Sequence, residues 1–286
     1  MTDQAEELRK MMSGPVQYQQ RVIAVTSGKG GVGKTNVAIN LGIALSRYKK
    51  KVIIMDADLG LANVNVILGK IPEFNLFHVM KGLKKMRDIV ITTNYGIRFI
   101  AGASGFSQLA NLTEESRMNL VKGLEELNDA DIIIIDTGAG VSNNVLSFVL
   151  AADEVIIVTT PEPTAITDAY GIIKAISAEA SNPELKLIVN RVKSVVEARK
   201  VSERVVNIAS QFLNMKVNYL GFVFEDEIIS QAVIRQMPFI EFDARARASL
   251  CLDHLAQRLL KITEKEFREP KGLAGFVKSI VDFYSE

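Results

Sequence analysis

The sequence predicts an α/β fold: a mostly parallel twisted sheet flanked by helices, with an extension at each end. Two observations carry this expectation. Six short runs rich in Val and Ile, at Val22–Val25, Val52–Met55, Ile132–Ile135, Val155–Val158, Leu185–Val189 and Leu220–Phe224, lack the polar alternation of a half-exposed strand. Such runs suit strands covered on both faces, as in a parallel sheet. Most of the stretches between them carry helical spacing, so strand and helix alternate along the chain. No repeat or low-complexity linker divides Arg21–Lys261, which is read as one domain. Met1–Gln20 forms a flexible N-terminal extension, and Ile262–Glu286 forms a C-terminal segment punctuated by Pro270 and Gly272.

Composition narrows the function classes. With 286 residues, 48% of them hydrophobic, the chain can bury a large core. Lys plus Arg number 34 and Asp plus Glu 33, so the net charge of +1 argues against direct DNA binding, which needs a basic excess. Cys251 is the only cysteine, which excludes an internal disulfide, paired thiolates on zinc and a self-held iron–sulfur cluster. Neither an export leader nor an apolar run of bilayer length is expected, and the setting is read as cytoplasmic. His78 and His254 are read as structural or surface residues.

The first strand runs into Gly28, Lys29, Gly30, Gly31, Val32, Gly33, Lys34 and Thr35, followed by helical spacing through Val37, Leu41 and Leu45. This fits G-x-x-x-x-G-K-[ST] in a strand–loop–helix context. The glycines allow backbone N–H groups to turn inward around phosphate, and the helix N-terminus favours negative charge. Lys34 is placed to reach the β- and γ-phosphates, and the Thr35 hydroxyl to ligate Mg²⁺.

The second strand ends in Asp56-Ala-Asp58 and another in Asp136-Thr-Gly-Ala-Gly140, so three carboxylates lie beyond the carboxyl ends of strands, where open α/β sheets bind ligands. The glycines of Gly138-Ala-Gly140 permit either a rigid turn or a backbone switch that a γ-phosphate would select.

Lys29, just after the first loop glycine, makes the loop resemble the deviant Walker A motif of the MinD/ParA ATPase superfamily. That resemblance implies a P-loop, MinD-like fold and an ATP-dependent homodimer. Lys29 would reach the partner's nucleotide and join Lys34 in stabilising charge. It implies that Asp58 positions or polarises the attacking water. Asp56 would organise the Mg²⁺ region, and Asp136 would hold Mg²⁺ through water. At the adenine end it implies Asn190, with Arg191, Glu225 and Asp226 nearby, and hence ATP/ADP rather than guanine nucleotides. Asn36 stands where many relatives carry Thr, and its amide is read as a nucleotide contact.

Within the superfamily, a nitrogenase-reductase or arsenite-pump role lacks thiols, Tyr284 has no tyrosine cluster around it, and the D-x-D-P-Q of partitioning ParA proteins is absent. The stretch Asp56–Asn65, the D-T-G-A-G of Asp136–Gly140 and the N-terminal Asp3-Gln4-Ala5-Glu6-Glu7-Leu8-Arg9 resemble the FlhG family of flagellar-number regulators, also called YlxH or FleN. Membership would make the chain a Mg-dependent ATPase switch. Asp3, Gln4, Ala5, Leu8 and Arg9 would stimulate the GTPase FlhF, and flagellar C-ring proteins would be partners. A MinD-like platform for division or polarity proteins is the alternative, with a weaker third in an iron–sulfur carrier of Mrp type.

Leu273, Phe276, Val277, Ile280, Val281 and Tyr284 form one apolar stripe at helical spacing. This helix is too short to span a bilayer. It is read as a membrane-targeting segment, a peripheral anchor on the inner face of the membrane, with packing on its own domain as the alternative.

Overall fold

The computed structural model describes residues 20–58, 63–102, 114–179 and 183–261, together with Leu273, Phe276, Val277 and Ile280. The partner element Asp3–Arg9 therefore lies outside the described residues, as do Val281 and Tyr284. Among the described residues the strands are β1 (Arg21–Ser27), β2 (Val52–Ala57), β3 (Val90–Thr92), β4 (Ile97–Ile100), β5 (Ile132–Ala139), β6 (Glu154–Thr159), β7 (Glu184–Val192) and β8 (Val217–Phe224). They form one sheet in the order β3-β4-β2-β5-β1-β6-β7-β8. Every neighbouring pair is parallel except β3 with β4. Each of the six sequence-predicted runs lies within a strand. β3 and β4 escaped the pattern because they are three and four residues long and the apolar run of β4 is broken by Arg98, which pairs outward with Asp129 at 3.0 Å.

The strands are buried on both faces because each side-chain set meets its own layer of helices. Val22, Ala24, Ile133 and Ile135 face one layer, and Ile23, Val25, Ile132 and Ile134 the other. The second layer contains α1 (Lys34–Arg47), α2 (Asn63–Leu68), α9 (Glu227–Ile234), α10 (Phe239–Phe242) and α11 (Arg247–Lys261). The first contains α3 (Leu76–Met80), α4 (Met86–Ile89), α5 (Glu114–Glu125), α6 (Asn143–Ala151), α7 (Pro163–Ser177) and α8 (Val195–Leu213). Helix starts follow local chemistry: Ser142 caps α6, Ser194 caps α8, Asp226 caps α9, and Pro163 opens α7 where its missing N–H costs nothing.

Lys186 interrupts an apolar run yet is fully buried. Its ammonium lies 2.7 Å from both Glu154 and Glu184. Arg21 Nε donates to Glu154 at 2.6 Å. Burial works to raise the Glu154 pKa, but the flanking Arg21 and Lys186 outweigh it and hold the carboxyl below its ordinary value. These pairs tie β1, β6 and β7 together at the end of the sheet away from the phosphate loop.

The four described residues of the C-terminal stripe are helical and buried in the first layer, and the Phe276 ring stacks on Phe148 of α6 with centroids 6.0 Å apart. Of the two readings left open by the amphipathic pattern, this structure shows the stripe packed on its own domain. Leu259 of α11 is buried in the second layer, whereas Leu273 is buried in the first.

Candidate nucleotide site

β1 lies between β5 and β6, and the chain turns outside its carboxyl end through the phosphate loop into α1. Gly33, the residue before the helix, has φ 89, a left-handed conformation that penalises a side chain. A Cβ there would also collide with the Asn190 side chain. Gly28 is constrained by space alone, because a Cβ would overlap the backbone carbonyl of Asp168 in α7. The loop is therefore clasped by elements distant in sequence.

The inner side of the site is charged and buried. Lys34 Nζ lies 3.3 Å from Asp136 Oδ1, with Lys34 only 7% exposed and Asp136 fully buried. β2 and β5 pair in register from Val52↔Ile132 to Ala57↔Thr137, so Asp56 stands directly beside Asp136. Two four-residue apolar runs, each followed by aspartate, thus deliver their carboxylates to the same height. Burial, then the neighbouring Asp136, pushes the Asp56 pKa up to about 7. Burial also raises that of Asp136, against the Lys34 charge and a hydrogen bond from Thr35, which lower it.

These residues fit a magnesium ion. Asp136 Oδ2 is buried without a hydrogen-bond partner, the Thr35 hydroxyl reaches the same carboxylate, and Asp56 adds a second carboxyl group. Hard oxygen donors of this kind suit Mg²⁺, and an electropositive ion would relieve the repulsion between the two aspartates. No cluster of three His, Cys, Asp or Glu side chains capable of holding a metal occurs among the described residues. The ion's remaining positions would therefore fall to water and phosphate, its usual preference.

Asp58 follows β2 directly. Its N–H donates to Asp56 Oδ1 at 3.1 Å, and its own Oδ1 lies over Gly138, 3.6 Å from where a Cβ would project. The D-x-D segment and the Gly138-Ala-Gly140 segment are therefore in contact. Gly140, at φ 94, donates its N–H to Ser27 O at 2.8 Å, joining that segment to the start of the phosphate loop.

Lys29 is on the outer side. Its ammonium lies 3.0 Å from Glu162 Oε2 and 2.9 Å from Thr164 Oγ1, both just after β6. Gly30 and Gly31 are exposed, while Val32 is buried. Asn36 is half-buried, and its carbonyl accepts from Asn40 Nδ2 at 2.8 Å.

At the far end, Asn190 Nδ2 donates to Val32 O at 2.7 Å, and its Oδ1 is buried without a partner. Asn190 thus clamps the phosphate loop and still has an acceptor to offer an exocyclic amine. Arg191 is exposed at φ 58. The N–H of Glu225 bonds Val192 O at 2.9 Å. Asp226 accepts from Ile228 N–H at 3.2 Å and Ala248 N–H at 3.3 Å, so its carboxylate secures the starts of two helices.

Glu162, Thr164 and Asp168 were missed in the sequence. The Pro161-Glu162-Pro163-Thr164 turn marked that something follows β6, but nothing in its composition named the phosphate loop as its neighbour. Asn40 was also missed. It is fully buried, and its Oδ1 accepts from Ile240 N–H at 3.0 Å, which ties α1 to α10.

Residues 20–187 match a family described as an AAA domain. The chain is 38% identical over 240 residues to the antiactivator FleN of Pseudomonas aeruginosa, an alignment covering 84% of this chain and 86% of that one. Identity to the flagellum site-determining protein YlxH of Helicobacter pylori is 34% over 294 residues, or 99% of each chain. The septum site-determining protein MinD of Pyrococcus horikoshii, solved in complex with Mg-ADP, superposes with a TM-score of 0.70 at 26% identity, covering 86% of this chain and 98% of that one.

Proposed function

Since the chain belongs to the MinD/ParA family of P-loop ATPases, among the flagellar regulators FleN and YlxH, we propose that it is a Mg-ATP-driven dimerising switch governing flagellar number and placement. The observation that carries this reading is the buried cluster of Lys34, Asp136 and Asp56 at the mouth of a glycine loop. It puts one cation and two carboxylates where a nucleotide's terminal phosphates would meet a magnesium ion.

Magnesium held by Thr35, Asp56 and Asp136 would supply positive charge to the phosphate oxygens. Lys34 keeps Asp136 beside it and offers its remaining donors to the β- and γ-phosphates. Asp58, held by its N–H on Asp56 and resting over Gly138, orients the attacking water. Lys29 exchanges Glu162 and Thr164 for the partner's nucleotide, an exchange made easy by the exposure of that pair. Asn190 offers Oδ1 to the adenine amine, with Arg191, Glu225 and Asp226 around it.

Release of the C-terminal helix follows from the chain path. Ser142 caps α6 two residues after Gly140, and α6 carries Phe148 against Phe276. A γ-phosphate contact that shifts Gly138-Ala-Gly140 would move the surface on which the stripe rests and free Leu273, Phe276, Val277, Ile280, Val281 and Tyr284 for the membrane. Two weak anchors in one dimer then hold by avidity. Among the described residues no helix is long and apolar enough to cross a membrane. The Asp3–Arg9 element acts on an FlhF-type GTPase, and C-ring proteins are the further partners.

The test uses the full-length Asp58→Ala protein. With Mg-ATP it should retain nucleotide, sediment as a dimer and pellet with vesicles; with ADP it should stay monomeric and in the supernatant. Phe276→Glu added to it should leave the dimer and abolish pelleting. A strictly monomeric ATP-loaded protein, or equal pelleting with ATP and ADP, overturns the reading.

A further inference from the structure

The turn between α3 and α4 gathers positive charge in a chain whose net charge is almost zero. Lys81, Lys84, Lys85 and Arg87 fall within seven residues, whereas the whole protein carries a net +1. Among residues 81–88, Asp88 alone opposes them. It lies 4.0 Å from Arg87 Nε and caps the Lys85 N–H at 3.0 Å. Leu83 stands in the middle of these cations and is 66% exposed.

That exposure is built into the turn. Gly82 takes φ 68, and the N–H groups of Leu83 and Lys84 both donate to the His78 carbonyl, at 2.8 and 3.2 Å. Met80 and Met86 on either side are buried in the core. Lys84 Nζ sits 3.8 Å above the Phe74 ring and Lys81 Nζ 5.7 Å from that of Phe77, so both ammonium groups are held over half-buried aromatics at the surface.

A fixed apolar side chain ringed by ammonium groups suits a surface with anions outside and hydrocarbon beneath. The C-terminal helix needs such help. Lys278 is the only Lys or Arg from residue 273 to the end, and Asp282 offsets it. Each basic residue near an anionic leaflet adds about fivefold to binding, and stable anchoring takes two signals. Met80 and Met86 share one core layer with Leu273 and Phe276, so the turn and the stored helix belong to the same side of the sheet.

We propose that the Lys81–Arg87 turn is a second membrane contact, whose cations bind anionic phospholipid headgroups while Leu83 enters the acyl region. The proposal rests on the membrane reading above, and the test separates the two. The chain has no tryptophan, so Leu83→Trp in the full-length Asp58→Ala protein gives a single reporter. With Mg-ATP, its emission should shift to the blue and be quenched by brominated acyl chains on phosphatidylcholine vesicles containing phosphatidylglycerol, and high salt should reverse the shift. Lys81→Gln/Lys84→Gln/Lys85→Gln should weaken pelleting of the Asp58→Ala protein with those vesicles at least about tenfold, and in the protein that keeps Asp58 should leave ATP hydrolysis unchanged. The double variant Lys81→Gln/Lys85→Gln, which keeps Lys84 on Phe74, should lose binding in the same direction and guards against misfolding. If the protein pellets but the reporter stays in water, or the variants pellet normally, the turn is not a lipid contact and the C-terminal anchor stands alone. Loss of an acidic protein partner instead would assign the turn to that partner. Failure of the unsubstituted protein to pellet with ATP sinks both readings.

Discussion

Lys34 and Lys29 come from the same phosphate loop, yet the fold treats them differently. Lys34 is nearly sealed against a fully buried Asp136, whereas the Lys29 side chain is 39% exposed and its partner Glu162 57% exposed. A buried ion pair is costly to break because the survivor keeps an uncompensated charge, while an exposed pair contributes little and exchanges readily. The difference separates a residue committed to its own site from one able to change partners.

The largest effect should come from Lys34→Ala. Leaving Asp136 buried and unpaired should cost about 3–5 kcal/mol in urea unfolding at pH 8, and calorimetry should detect no ATP binding. An equally stable variant would mean that the pair does not hold the loop.

Next in size is the response of the inner carboxylates to pH. Because the Asp56 pKa is raised to about 7 in the folded protein, its protonated form favours folding. That contribution is fully present below about pH 4 and is lost as pH rises to about 7. Asp56→Asn in metal-free protein should therefore melt at nearly the wild-type temperature below pH 4. Its advantage should grow between pH 4 and 7 and level off above, at several degrees. A constant offset across this range would show that burial and the neighbouring Asp136 do not raise the Asp56 pKa.

The smallest effect on folding belongs to Lys29→Ala, which should change unfolding free energy by less than about 1 kcal/mol. ATP should still bind, but the ATP-driven dimer should disappear in sedimentation analysis. A dimer that persists would place Lys29 outside the interface.

Much of the site was legible in the sequence because it lies in contiguous segments. Gly28–Thr35 is one loop after one strand, and the carboxylates Asp56 and Asp136 each close an apolar run, so strand pairing in register was enough to bring them together. What was hidden depends on contacts between distant segments. Asn190 clamping Val32, Asp168 forbidding a side chain at Gly28, and Glu162 holding Lys29 join residues more than a hundred positions apart. A residue type does not announce such neighbours. Likewise Asp226, read as a nucleotide contact, secures two helix starts, because Ala248 is brought beside it only by the packing of α11.

The amino-acid sequence by itself determined the layered α/β plan, the phosphate loop, the carboxylates at strand ends and an amphipathic stripe at the C-terminus, because each is written in local periodicity. Only the tertiary structure decided which surface that stripe covers and which lysine is buried. An apolar face is indifferent to whether a membrane or its own core removes it from water. An ammonium is likewise indifferent to which carboxylate balances it, until the folded chain brings one choice within reach.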